Sequence, residues 1–535
     1  MKTGGGTPML LHRMIDEAAL CRPEAPAIRC GGATLSYEEL ARQANGMARV
    51  LLGAGLQRGD RVAVLLGKDL KVPVAFYGVL AAGGALVPID PKSPVEQVAR
   101  IVRATGATHL VSQPEKRNVV RGTLAACPDV RYAVGLDMGQ ETPVRSCSWE
   151  TVTGEATDRP PDVSVIDLDP SYILHTSGST GTPKLILHTH RSAMSFVEWA
   201  VAEYSLTSDD RLSNHSSHHT CFATFDYYAA ARASAATVLL TPAVMIMPGS
   251  LAALLERERV SVWYSVPTAL VQLSLRGNLE ARDLSSIRWV LFAGETFPEK
   301  HLRRIMQQLP EARFSHVYGS TETNVCAYYH LPESSEVCSP LPIGKACSNA
   351  RTQVVSDDLQ PVANGEVGEL LVRGATVMSG YWGNPDRNRQ VLVRQRPAGD
   401  IEEVFFRTGD RVRAREDGNL TFVARADLQV KVRGYRVELE EVESALLSLD
   451  TVEEAAALAV PDGEGSSAIR AAVVVGGDGS PGQREILSGL AKILPLHAVP
   501  AEVAILDSLP RTPTGKTDRN ALRTQLMKPE VGDDV

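Results

Sequence analysis

No run of apolar residues in this 535-residue chain approaches the roughly 18–20 that a membrane-spanning helix needs. The first ten residues, MKTGGGTPML, hold one lysine and no apolar stretch, so they do not read as a secretory signal. Positive charge is not in excess. Lys and Arg total 55 against 63 Asp and Glu, a net −8, which argues against a general nucleic-acid binder. The eight cysteines, Cys21, Cys30, Cys127, Cys147, Cys221, Cys326, Cys338 and Cys347, form no CxxC pair. That pattern predicts free thiols in a reduced, cytoplasmic protein. Internal repeats and low-complexity tracts are lacking too. The GxxxxGKS or GxxxxGKT spacing of a P-loop is absent.

The composition is 44% hydrophobic and 22% charged, which excludes a wholly disordered chain. At 535 residues, several domains or one large body with an appendage are expected. LSYEELARQANGMARVLLGAG (35–55) has helical spacing with Ser36 as its cap. RVAVLL (61–66) reads as a buried strand, VPVAFYGVLAAGG (72–84) as a helix and ALVPID (85–90) as a strand. ATHLVSQ (107–113) and WVLFAGE (289–295) continue the pattern. Strands alternating with helices predict an α/β fold with a parallel sheet. Gly53, Gly55 and Gly59 are misspaced for a dinucleotide fingerprint and follow a helix, so they read as a cap and turn.

Beyond about residue 365 the pattern changes to short strands, at 365–374 and within 419–438. A helix from Leu439, a strand at 471–475 and a helix at 484–494 follow. The expected architecture is a large N-terminal domain (1–426) of mixed and parallel sheets with flanking helices. A small, mobile α+β domain (427–535) completes it.

The stretch SYILHTSGSTGTPKLILHTH (171–190) carries the strongest chemical signal. A short apolar strand leads into Thr176, Ser177, Gly178, Ser179, Thr180 and Gly181, with Lys184 just beyond. Glycines let backbone N–H groups approach an anion, hydroxyls add donors, and Lys184 adds positive charge. Those are the needs of a triphosphate.

TSGSTGTPK resembles the phosphate loop of the adenylate-forming superfamily, which includes acyl-CoA synthetases, luciferases and nonribosomal peptide synthetase adenylation domains. VYGSTETN (317–324), RTGD (407–410), ARADLQVKVRGYRVELEEVE (424–443) and LPRTPTGKTDRNAL (509–522) resemble further motifs of that superfamily, in its order. ETNVCAYY and VKVRGYRVELEEVE favour a stand-alone amino-acid adenylation domain. The resemblance implies ATP and Mg²⁺ as cofactors. Tyr318 would stack on adenine, with Gly294, Glu295, Gly319 and Thr321 also at the nucleotide. Asp410 would hold the ribose hydroxyls and Arg425 the ribose or acyl phosphate. Glu322, with Thr180, would bind magnesium. Lys516 and Lys184 would be the catalytic cations. Asp427 would be a hinge, and Arg433, Gly434 and Tyr435 a thiol-transfer loop. Glu438 and the LEEVE run read instead as the capped, solvated face of a helix.

The implied reaction joins a carboxylate to AMP with loss of pyrophosphate, then transfers the acyl group to a thiol. Because the chain ends soon after its final motif, the expected acceptor is the phosphopantetheine arm of a separate carrier protein. A CoA ligase and a non-catalytic scaffold remain alternatives. Relatives bind the substrate ammonium with an aspartate at a helix start. An ungapped register puts Cys221 there, while a five-residue shift puts Asp226 there. In the first register Cys221, Phe222, Phe225, Tyr264, Leu291, Ala293, Val317, Val325 and Cys326 line an uncharged pocket, which implies a mainly apolar acid lacking a free α-ammonium, or an amino acid whose nitrogen is modified or displaced. His188, His190, His215, His218 and His219 lie near one another in sequence, but no carboxylate or cysteine completes a zinc spacing.

Overall fold

The computed structural model describes residues 10–176, 183–333, 336–337, 340–396, 401–425, 429–462, 467–476, 481–511 and 517–527. Ser177, Gly178, Ser179, Thr180, Gly181, Asp427 and Lys516 lie outside the described residues.

Strand Arg61–Val64 pairs in parallel with Ala85–Pro88 on one side and His109–Val111 on the other. These belong to a sheet of eight strands among the described residues. Ala85–Pro88 also pairs in parallel with Pro170–Thr176, which runs antiparallel to Lys184–Thr189. The alternating strand and helix segments thus build a mainly parallel sheet, as their apolar runs require. Helix Tyr37–Gly53 begins with a capping box in which Ser36 and Glu39 satisfy each other's backbone N–H. It packs on helix Lys71–Ala81 so closely that a Cβ on Gly78 would lie 2.5 Å from Met47 Cγ.

A second sheet, of nine strands among the described residues, contains Arg211–Asn214, Ala236–Leu239, Val262–Ser265, Trp289–Phe292 and Arg313–Ser320. One continuous apolar core joins the two sheets, running from Leu86 and Tyr172 to Tyr264 and Val317. A third sheet holds strands Val367–Gly374, Glu403–Ala414 and Leu420–Arg425. The C-terminal part has its own core, with Val437, Val442, Leu446, Ile469 and Val473. There the expected strand 471–475 extends to Ser467–Val475, and the expected helix 484–494 stops at Leu490. No described helix is long and apolar enough to cross a membrane. The seven cysteines among the described residues are free.

Candidate active site

Three pairs of strand ends meet at one cleft, and a hairpin from the C-terminal part enters it. The first pair joins Thr176 and Lys184, which are opposite each other in register. The Thr176 hydroxyl is buried without a hydrogen-bond partner among the described residues. A buried orphan hydroxyl is costly and suits a ligand-facing position.

The second pair is the antiparallel ladder of Arg313–Ser320 and Asn324–His330. Gly319 sits where the register shifts, and a Cβ there would lie 1.7 Å from Asn324 O. Only glycine fits. In the connecting turn, Thr321 O accepts from His188 Nε2 at 2.8 Å. Glu322 is fully buried and accepts from Tyr381 Oη at 2.8 Å. Burial would raise its carboxyl, but the guanidinium of Arg436 outweighs it and holds Glu322 down at about 2.

The third pair sets Asp410 opposite Arg425 in register, where the two form an ion pair. The Tyr318 hydroxyl also donates to Asp410. Tyr318, expected at adenine, and Asp410, expected at ribose, are therefore in direct contact.

The hairpin consists of Gln429–Val432 and Tyr435–Glu438. Arg433 and Gly434 form its turn with φ of 49° and 82°, the left-handed pair of a tight two-residue turn. A Cβ on Gly434 would lie 2.6 Å from Val266 Cγ1, and its N–H donates to Glu295 Oε1 at 2.6 Å. Tyr435 hydrogen-bonds Ser217 at 3.0 Å. The strands alternate: Val432 and Val437 face the C-terminal core, while Gln429, Lys431, Arg436 and Glu438 pair across the other face.

That polar face meets the cleft. Arg436 contacts both Glu322 oxygens, at 2.7 and 2.5 Å. Glu438 pairs with Lys184 at 2.5 Å and accepts from Gln429. Glu438, expected on a solvated helix face, is instead 2% exposed. The reason is its place as the last residue of the strand, one step before helix Leu439–Leu447. Lys431 is reached by solvent yet crowded by protein, which lowers its pKa against the pull of Asp410. Arg425, Arg436 and Cys221 also act on it.

The acyl-pocket residues separate into groups. Phe225, Tyr264, Leu291, Ala293, Val317 and Val325 share one apolar cluster, with Cys221 and Phe222 packed against it. Phe222 and Tyr264 have ring centroids 4.6 Å apart. Cys326 is not among them. It is the extra residue of the strand bulge, its thiol faces Tyr318 O at 3.6 Å, and it packs with Ile343, Leu370 and Val372. Burial pushes its thiol up to about 12.

Cys221 and Asp226 are separated by an unexpected feature. Thr224–Ala229 winds as a π-helix, wider than an α-helix. Cys221 lies toward Thr321, Glu322 and Lys431, and burial raises its thiol pKa. Asp226 accepts instead from Asn214 Nδ2 at 2.9 Å. Burial raises its carboxyl well above the usual range, so it tends to the neutral form. Of the histidines, His188 supports the Glu322 turn and His215 contacts Ser265. No group of three metal-ligating side chains converges among the described residues.

A family model for the AMP-binding enzyme matches residues 15–382, and one for the AMP-binding enzyme C-terminal domain matches 441–516. The chain belongs to the AMP-binding enzyme family. It is an AMP-forming ligase, with ATP as its nucleotide. One curated family member, an L-proline–[L-prolyl-carrier protein] ligase of Pseudomonas fluorescens, is 33% identical over 97% of this chain and 99% of its own. A ligase of the same name from Streptomyces coelicolor is 34% identical over 92% of both chains. The amide bond synthetase McbA of Marinactinospora thermotolerans superposes with a TM-score of 0.85 at 25% identity. That match covers 97% of this chain and 99% of McbA.

Arg436 and Lys431 were present in the quoted motif but had no assigned role. The alternation of VKVRGYRVE was the available signal. Which partner its polar face would meet was not.

Proposed function

We propose that this ligase converts an apolar carboxylic acid to its acyl-adenylate and passes the acyl group to the phosphopantetheine thiol of a separate carrier protein. In the first step a carboxylate oxygen attacks the α-phosphate of ATP, forming the acyl–AMP anhydride and releasing pyrophosphate. In the second the thiol attacks the acyl carbon, a thioester forms, and AMP departs with the bonding pair of the broken C–O bond.

Strand Arg313–Ser320 is the observation that carries this reading. Its Val317 lies in the apolar cluster with Tyr264 and Leu291, and the next residue, Tyr318, donates to Asp410. The nucleotide side and the acyl side of the cleft therefore adjoin, as a mixed anhydride requires. Thr176 and Lys184, with Ser177–Gly181 beyond the described residues, hold the phosphates. Gly294 and Glu295 lie on the adenylate side, where Gly294 has a φ of 97°. Tyr318 and Gly319 receive adenine, and Asp410 and Arg425 the ribose. Glu322 fits a magnesium ligand, because it is a buried carboxylate whose counter-charge, Arg436, arrives on a separate hairpin. With Thr180, it would hold a cation that neutralises phosphate oxygens.

The domain boundary at Asp427 and the division of labour between Lys516 and the Gly434 turn belong to the same proposal. The docked hairpin suits the second step: glycine at position 434 allows an extended thiol arm to pass close to backbone. Similarity to two carrier-protein ligases favours a carrier over CoA.

The acceptor is testable directly. The enzyme, ATP and an accepted acid are mixed with either a phosphopantetheinylated carrier or CoA, and thioester is read by mass spectrometry. Carrier acylation should exceed CoA thioester formation by at least about tenfold, a difference of about 1.4 kcal/mol in barrier. Faster CoA thioester formation would reverse the assignment.

A further inference from the structure

Strand Tyr435–Glu438 delivers two opposite charges to two sites that, in the reading above, belong to magnesium and pyrophosphate. Arg436 meets both oxygens of Glu322, and Glu438 meets the ammonium of Lys184. All four side chains are largely buried, with exposures of 15% and 0% for the first pair and 12% and 3% for the second. Arg436 and Glu438 are two residues apart on one strand face, and Arg436 Nη2 lies 4.0 Å from Glu438 Oε1, so the two charges also support each other. The sign pattern matches: cation on the carboxylate, anion on the ammonium.

We infer that Arg436 and Glu438 are positioning residues that replace magnesium pyrophosphate, Arg436 standing in for the cation on Glu322 and Glu438 for the anion on Lys184. Departure of the product would otherwise leave a buried carboxylate and a buried ammonium without partners, which is costly. Hairpin entry supplies both partners in one movement. The hairpin and magnesium pyrophosphate therefore compete for the cleft. Once the hairpin is in, pyrophosphate can return only by breaking both ion pairs, so adenylation is held forward while the thiol reacts.

The inference rests on Glu322 and Lys184 being the magnesium and phosphate ligands, and the test separates the two ideas. Magnesium pyrophosphate is titrated into the full-length enzyme and its affinity read by calorimetry. Arg436→Gln and Glu438→Gln should each tighten binding by about tenfold, because a competitor occupying most of the population has been weakened. Arg436→Lys, which keeps the charge, should fall between wild type and Arg436→Gln. Glu322→Gln removes a partner of the hairpin as well as the cation ligand, so it is made in the Arg436→Gln background, where it should weaken binding about tenfold or more if Glu322 holds the cation. Unchanged binding on adding Glu322→Gln to Arg436→Gln overturns the ligand reading beneath the inference. Weakened binding there with no tightening in Glu438→Gln overturns the inference and leaves that reading standing. Glu438→Gln is near-isosteric, so it remains available should Arg436→Gln fail to fold.

Discussion

Lys516→Ala is expected to slow acyl-adenylate formation by about 10²–10³, the usual cost of removing a preorganised charge from reacting oxygens. Transfer of the acyl group from a preformed adenylate should suffer far less. The reason is spatial. In this structure the places beside Glu322, Glu295 and Lys184 are held by the hairpin, through Arg436, Gly434 and Glu438. The described residues flanking Lys516 are tied to the C-terminal part: Arg511 to Glu454, and Arg519 to Glu443 and Ala457 O. Lys516 and the hairpin are proposed to take the cleft by turns, so only the first step should need Lys516. Rapid-quench measurement of each half-reaction checks this. Equal losses in both would show that Lys516 does not leave the cleft between steps.

The second large effect concerns the acid. Phe222, Phe225, Tyr264 and Val325 pack in one apolar cluster, and Cys221 packs against it toward Thr321 and Glu322. Its thiol is kept neutral by burial, so it offers no counter-ion. One Asp226 oxygen accepts from Asn214, the other has no partner among the described residues, and burial pushes the carboxyl toward the neutral form against the pull of Lys68. An ammonium buried without a partner costs several kcal/mol. Desamino acids should therefore outpace their α-amino counterparts by about 100-fold or more in kcat/KM, at about 1.4 kcal/mol per tenfold. Cys221→Asp should narrow or invert that ratio. The check is paired exchange assays, for example 3-phenylpropionate against phenylalanine. Strong wild-type activity with phenylalanine that is lost in Asp226→Ala and kept in Cys221→Ser would move the ammonium site to Asp226.

Much of this was legible in the sequence for local reasons. Thr176 and Lys184, the glycine at 319 and the acid at 410 sit in short segments whose residue types carry their own chemistry, and the structure brings them to neighbouring strand ends. Helix and strand order followed from apolar periodicity, and Ser36 marked its helix start correctly. What was not legible depends on distant partners. Arg436 meets Glu322 across 114 positions of chain, and Glu438 meets Lys184 across 254. A reading of nearest neighbours assigned Glu438 to a solvated helix face, because a strand-to-helix junction looks like a helix start. The resemblance put Cys326 in the acyl pocket, and the bulge at that residue turns it instead toward Ile343, Leu370 and Val372. The π-helix over Thr224–Ala229 has no sequence signature in the apolar spacing, and within it Asp226 accepts from Asn214.

The central claim is that this cleft joins a carboxylate to AMP. Its most direct test is acid-dependent exchange of labelled pyrophosphate into ATP, run over a broad panel of carboxylic acids with no thiol present. The account predicts exchange that requires an added acid, is strongest for apolar acids without an α-ammonium, and is abolished by Glu322→Ala. An enzyme that binds ATP yet supports no exchange with any acid, or that exchanges equally without acid, would contradict it.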